Sequence, residues 1–209
     1  MKRFGFALAA CAALTACGGK GDRPATASVP AALDWRQVAT KGDRIRLRNW
    51  RDAWVTALAK AQASGNGPAI AAQGVLFEPD RALSNALPPP GDYRCRMFKL
   101  GANGTAAHDF TAYPWFGCRV VAEGEVLSFY KSNGAQRPVG LAFPDGDMRG
   151  VFLGTMVFGD ETTALDYGRD ADRDMAGIID RVDDKRWRIA LPYPKFESIL
   201  DVVEIVPAS

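Results

Sequence analysis

Gly91-Asp92-Tyr93-Arg94-Cys95-Arg96-Met97-Phe98-Lys99-Leu100-Gly101 is the stretch on which the fold turns. Tyr93, Cys95 and Met97 fall on one face of an extended chain and Arg94 and Arg96 on the other, the period of two that marks a strand. Immediately before it, Pro88-Pro89-Pro90-Gly91 removes backbone donors and ends any helix. Upstream of this stretch apolar residues recur at intervals of three and four. Downstream they recur at two, with turn signals about every ten residues. The stretch divides a helical segment from a β domain.

Downstream, strands are expected near Tyr93–Leu100, Trp115–Ala122, Val126–Lys131, Arg137–Phe143, Arg149–Phe158, Thr162–Tyr167, Met175–Val182, Arg186–Leu191 and Ile199–Val206. Glu123-Gly124, Asn133-Gly134 and Asp145-Gly146 place glycine where a hairpin needs positive φ. The pattern predicts an antiparallel up-and-down β-barrel of eight or nine strands over residues 91–209, since closure removes the exposed edges of such a meander. Trp187, Ile189 and Leu191 alternate with Arg186 and Arg188 in the same apolar-in, charged-out sense. An interior filled by Met97, Val120, Leu153 and Trp187 would leave no room for an enclosed ligand. Gly140, Gly150 and Gly154 read as strand glycines that relieve curvature or packing.

Upstream, Leu33 to Ala63 reads as helix. Asp43 stands at an N-cap position, Leu47, Trp50, Trp54, Leu58 and Ala61 share one face, and Ser64-Gly65 closes the run. A second helix is expected over Pro79 to Leu87, with proline in its first turn. Residues 33–90 thus form a helical segment packed on the barrel, and the fold class is α+β. Arg44, Arg48 and Arg51 make a basic edge, read either as a solvated face balanced by Asp43 and Asp52 or as a contact for envelope phosphates. A composition of 47% hydrophobic and 24% charged residues fits a packed domain rather than a disordered chain.

The N-terminus carries Lys2 and Arg3, then an apolar run from Phe4 to Ala13, too short to span a bilayer. Leu14-Thr15-Ala16-Cys17 resembles the lipobox of bacterial lipoproteins. The resemblance implies a signal peptide over residues 1–16, acylation of Cys17, and a membrane anchor made of lipid alone. Gly18 in place of aspartate implies sorting to the outer membrane, facing the periplasm. Residues 17–32, rich in Pro, Ala, Ser and Thr, read as a flexible tether. Loss of Lys2 and Arg3 leaves 24 basic side chains against 24 acidic ones, so charge gives no support to nucleic-acid binding. With Cys11 discarded and Cys17 acylated, Cys95 and Cys118 remain as a pair. In an exported domain such a pair is expected to form a disulfide, contributing about 3.5 kcal/mol by the chain-entropy argument. Both lie on the more apolar face of their strands.

Catalytic constellations are sparse. His108 is the single histidine, in an expected loop over Ala102–Tyr113, and no Gly-x-Ser-x-Gly elbow accompanies it. Asp170, Asp172 and Asp174 imitate the start of a calcium loop, but Met175 and Arg181 occupy the positions that need glycine and glutamate. No metal ligand set, cofactor motif or catalytic residue is therefore assigned. Tyr113-Pro114-Trp115-Phe116 is an aromatic cluster that either plugs a barrel end or stacks on a ligand, with Tyr113 and Trp115 as the contacts.

The β half resembles the eight-stranded barrels of lipocalin-like proteins and of protease-inhibitor lipoproteins in architecture, although the lipocalin Gly-x-Trp signature survives only as Gly91-Asp92-Tyr93. The lipobox, the Trp50/Trp54 helix, the run Leu87-Pro88-Pro89-Pro90-Gly91-Asp92-Tyr93-Arg94-Cys95-Arg96, and Arg186–Pro194 with Glu197-Ser198 together resemble a domain-of-unknown-function family of small bacterial envelope proteins. That family implies no activity. The expectation is a lipid-anchored, non-catalytic binding or inhibitor-like module for an unknown protein or small ligand. The alternatives are an envelope hydrolase using paired carboxylates, whose separation a sequence does not state, and a structural lipoprotein using the Arg44/Arg48/Arg51 edge.

Overall fold

A computed structural model describes residues 33–104 and 108–208. The expected signal peptide, the acylated Cys17 and the tether lie outside the described residues. Four helices, α1 (Trp35–Val38), α2 (Lys41–Arg48), α3 (Trp50–Ala61) and α4 (Gly67–Ala71), precede nine strands. The strands are β1 (Gly91–Ala102), β2 (Phe110–Ala112), β3 (Phe116–Glu123), β4 (Val126–Lys131), β5 (Gln136–Pro144), β6 (Gly150–Phe158), β7 (Asp174–Asp183), β8 (Arg186–Pro192) and β9 (Ser198–Pro207).

Every pairing is antiparallel, and from β3 to β9 each strand pairs with the next in sequence. β9 returns to β1 along Tyr93↔Pro207 to Ala102↔Ser198, which closes an eight-stranded barrel. The other edge of β1 pairs with β3 over Gly91–Cys95 and with the short β2 over Phe98–Leu100. Closure gives both long edges of β1 a partner. Gly124, Gly134 and Gly146 hold φ of 66°, 95° and 83° at three of the hairpin turns, as their sequence context predicts.

The barrel wall has two apolar faces. Inward, Tyr93, the bridged Cys95 and Cys118, Val120, Phe129, Phe152, Trp187, Ile189 and Ile205 form one packed cluster. The disulfide joins adjacent strands β1 and β3, with the two Cα atoms 5.9 Å apart. Outward, Phe98, Leu100, Leu200 and Val202 pack under Trp54, Ala57 and Ala61 of α3. A second outer patch, Phe143, Val151, Leu153 and Ile178, lies under Leu47 and Ala39. Leu153 is thus corrected from the barrel interior to its outer face. β6 begins at Gly150 with even positions inward, so Phe152 fills the lumen instead. Gly140 and Gly154 face each other across β5 and β6, and a Cβ on either would stand 2.3 Å from a carbonyl oxygen of the opposite strand. Only glycine permits that approach.

Three local expectations are corrected. The α2 N-cap is Thr40, whose hydroxyl accepts from the Asp43 backbone N–H, and Asp43 itself is wholly buried. Asp43 instead accepts from the Thr40 and Tyr167 hydroxyls and pairs with Arg46. Pro79 to Leu87 is not helical. The Pro79 and Arg81 carbonyls, with those of Leu76 and Glu78 just before them, accept from Arg188, and the Leu83 N–H donates to the Arg181 carbonyl, so the segment's backbone groups bond to the barrel instead of to a helix. Thr162–Tyr167 is not a strand; it belongs to the β6–β7 connection, which crosses to α2 where Tyr167 meets Asp43. Conversely, β2 forms inside the expected loop over Ala102–Tyr113.

Candidate binding site at the open end of the barrel

The two ends of the lumen differ. One end is closed by Leu87, which packs on the inner cluster beside Gly150, and by Tyr93, whose hydroxyl donates to the Pro89 carbonyl. Tyr93 and Trp187 meet edge to face at 6.1 Å, and Phe129 and Phe152 do the same at 5.9 Å. The opposite end is made by the C-terminal ends of β1, β4, β6 and β8 and the N-terminal ends of β3, β5, β7 and β9. There the inward positions become polar: Lys99 follows Tyr93, Cys95 and Met97 on β1, Lys131 follows Phe129 on β4, and Asp201 precedes Val203 on β9.

Lys99 and Asp201 are direct partners in the β1–β9 register, with Nζ 3.0 Å from Oδ2. The Ser198 hydroxyl donates to the other oxygen of Asp201, and Glu197 stands 3.3 Å from Lys99. Burial works against the Lys99 ammonium, but Asp201 and then Glu197 more than offset it and raise its pKa. Burial pushes the Asp201 carboxyl above the usual range, with Lys99 and Ser198 acting in the opposite direction.

A cleft of about 580 Å³ opens beside this pair, lined by Met97, Lys99, Tyr113, Trp115, Phe116, Lys131 and Gln136 among others. It lies where β1 has left β3 and not yet been covered by β2, so the 113–115 loop forms its rim. A second hollow of about 420 Å³ shares Gln136 and is lined by Phe158, Lys195, Phe196 and Glu197. Gln136 also lines a pocket of about 30 Å³ above Lys99, Met156, Met175 and Asp201. The three hollows meet at Gln136 around the Lys99–Asp201 pair, and the cleft of about 580 Å³ is within the size range of small-molecule sites.

The structure brings Tyr113 and Trp115 together on the same cleft, each 40% exposed, while Phe116 turns inward against the core. The Trp115 ring has the guanidinium carbons of Arg96 and Arg94 at 4.6 and 5.0 Å. Arg94 and Arg96 lie on the outer face, as the alternation predicts, and Arg96 pairs with Glu204 at 2.8 Å. Of the basic edge, Arg51 pairs with Asp80 at 2.7 Å and Arg44 donates to the Arg36 and Ala39 carbonyls.

His108 is exposed, and Asp109 beside it is taken by Ser64, Lys60 and the Ala102 N–H. Asp170 and Asp172 pair with Arg173 and Lys195, and Asp174 accepts from the Gly168 N–H. Among the described residues, no group of three or more His, Cys, Asp or Glu side chains is placed to hold a metal ion. Lys99, Lys131, Gln136 and Asp201 were not singled out from the sequence. The signal for them was a charged or polar residue continuing the inward face of a strand.

No curated protein and no solved structure matches the chain. A family model described as a domain of unknown function, DUF4893, matches residues 35–205, which takes in the helical segment and nearly all of the barrel, and the chain belongs to that family.

Proposed function

We propose that this protein is a lipid-anchored component of the bacterial envelope that acts as a non-catalytic binding module, holding its ligand at the open end of the barrel. The observation that carries the reading is the 580 Å³ cleft walled by Tyr113, Trp115, Phe116 and Met97. The filled lumen supports a ligand seated at the mouth rather than enclosed within the barrel. The absence of catalysis is part of the proposal, supported by acidic side chains at the mouth that are each engaged: Asp201 by Lys99, Asp172 by Lys195. Anchoring rests on the Leu14–Cys17 lipobox, and outer-membrane placement on Gly18.

Native mass spectrometry of protein purified from envelopes tests the binding reading. A retained small molecule that is lost from a folded Trp115→Ala variant is the expected result. Retention unaffected by Trp115→Ala, or protein that carries nothing and binds nothing from an envelope extract, would overturn it. Anchoring has a separate readout: Cys17→Ser should abolish acyl labelling and release the protein from membranes, and continued membrane fractionation would contradict the anchor.

A further inference from the structure

Lys131 differs from every other basic residue lining the open end. Lys99 is held by Asp201, Lys195 by Asp172 at 2.7 Å, Arg173 by Glu161 at 2.8 Å, and Arg46 by Asp43. Nearby Arg137 donates to the carbonyls of Gly134, Gly159 and Glu161. Among the described residues, the Lys131 ammonium has neither a carboxylate nor a hydrogen-bond partner. Its Nζ stands 4.3 Å from the Phe116 ring centroid, and the end of the side chain lies against Gly134 in the turn that follows β4. The side chain is half-buried, on the inward face of β4 at the wall of the 580 Å³ cleft. Burial, and then the charge of Arg137, press its pKa downward, so an anion placed there would relieve an existing electrostatic cost.

We infer that the cleft takes an amphipathic anion, with an apolar or aromatic body between Met97, Tyr113, Trp115 and Phe116 and a carboxylate- or sulfonate-like group on the Lys131 ammonium. This deepens the binding reading of the mouth and rests on it. The body would replace water on the exposed faces of Tyr113 and Trp115, and the anion would pair a cation that has no counter-charge among the described residues. Arg94 beside Trp115 adds positive charge to the approach, whereas Arg96 is held by Glu204.

Two probes separate the parts of this inference. Anilinonaphthalene sulfonate and phenylnaphthylamine share a ring system, and only the first carries an anion. Titrated against the purified protein, the sulfonate should bind about tenfold tighter than the neutral amine, the worth of one desolvated charged contact. Lys131→Met should bring the sulfonate to the amine's affinity and leave the amine unchanged; Lys131→Arg should keep the preference. Trp115→Ala should weaken both probes. In the unaltered protein, raising the pH through the ionisation of Lys131 should remove the preference without affecting the amine. Equal affinities in the unaltered protein, or a preference that survives Lys131→Met, would overturn the anion and leave the mouth as a binding site. Failure of both probes to bind would overturn the mouth reading and this inference together.

Discussion

Lys99 and Asp201 face each other across the seam that closes the barrel, 3.0 Å apart and nearly sealed from water, so one ion pair both locks the β1–β9 register and forms the floor of the open end. Removing one partner leaves the other charge in a low-dielectric site, which costs more than the pair itself contributes. Asp201→Asn should therefore destabilise the domain by roughly 3–5 kcal/mol. Lys99→Met combined with Asp201→Leu should recover most of that loss. Denaturant titrations of the single and double variants check this, and equal losses in both would contradict it.

Arg188 is a second buried charge with a different task. It is wholly buried and gives hydrogen bonds to Asp180 and to the carbonyls of Leu76, Glu78, Pro79 and Arg81, while its guanidinium lies 4.8 Å from the Trp54 ring centroid. Lysine cannot reproduce a planar fork. Arg188→Lys should cost about 3 kcal/mol or more by leaving carbonyls and Asp180 without donors. It should also raise amide exchange first over residues 74–83, ahead of the barrel strands. Uniform exchange throughout the domain would show that Arg188 does not hold this segment in particular.

The disulfide predicts a simple loss. Cys95 and Cys118 enclose a loop with a sequence separation of 23 residues. Replacing both by alanine should cost about 3.5 kcal/mol, which for a domain of this size lowers Tm by roughly 7–14 °C. Reduction of the unaltered protein should give a similar shift. A change within a degree or two would mean that packing in the lumen holds β1 on β3 without the bridge.

Two phenols make stability fall at alkaline pH. Burial raises the Tyr93 hydroxyl, and burial followed by the hydrogen bond to Asp43 raises Tyr167, both from an ordinary value of 10.0. Between pH 10 and these raised values the folded state keeps protons that the unfolded chain loses. Their stabilisation is complete below pH 10 and is lost as pH rises through the folded pKa. Tyrosinate absorbance should show Tyr93 and Tyr167 keeping their protons above pH 10 in the folded domain. Tyr167→Phe should remove one late-ionising phenol, and an unchanged absorbance titration in that variant would refute the assignment.

Period-two alternation made much of the barrel legible. Cys95 and Cys118 each sat on an apolar strand face, and the Asn133-Gly134 and Asp145-Gly146 turns marked where the chain reverses. Arg188 was not legible in the same way. Its outward position reads as solvent-facing until residues 74–83 are seen to cover it. The covering segment was itself misread, because the proline of Pro79 suggests a helix start while the acceptors of that segment belong to Arg188 across the barrel wall. Asp43 was misplaced for a related reason. An acid near a helix start satisfies the rule for a cap, but Tyr167, distant in sequence, made it a buried acceptor. Of the site, Tyr113 and Trp115 were legible as aromatics beside a strand. Lys131 was not, since nothing local distinguishes a lysine at a strand end from a solvated one.

The sequence by itself determined the division at Pro88–Gly91, the antiparallel meander, the pairing of Cys95 with Cys118 and the facing of most strand residues. These depend on local backbone chemistry and on side-chain alternation, which short-range steric rules govern. Tertiary structure alone decided that one end of the lumen fills with aromatics while the other becomes polar, and that Lys131 has no counter-charge there among the described residues. Those properties depend on which distant groups share a low-dielectric volume, and closure of the barrel is what brings those groups together.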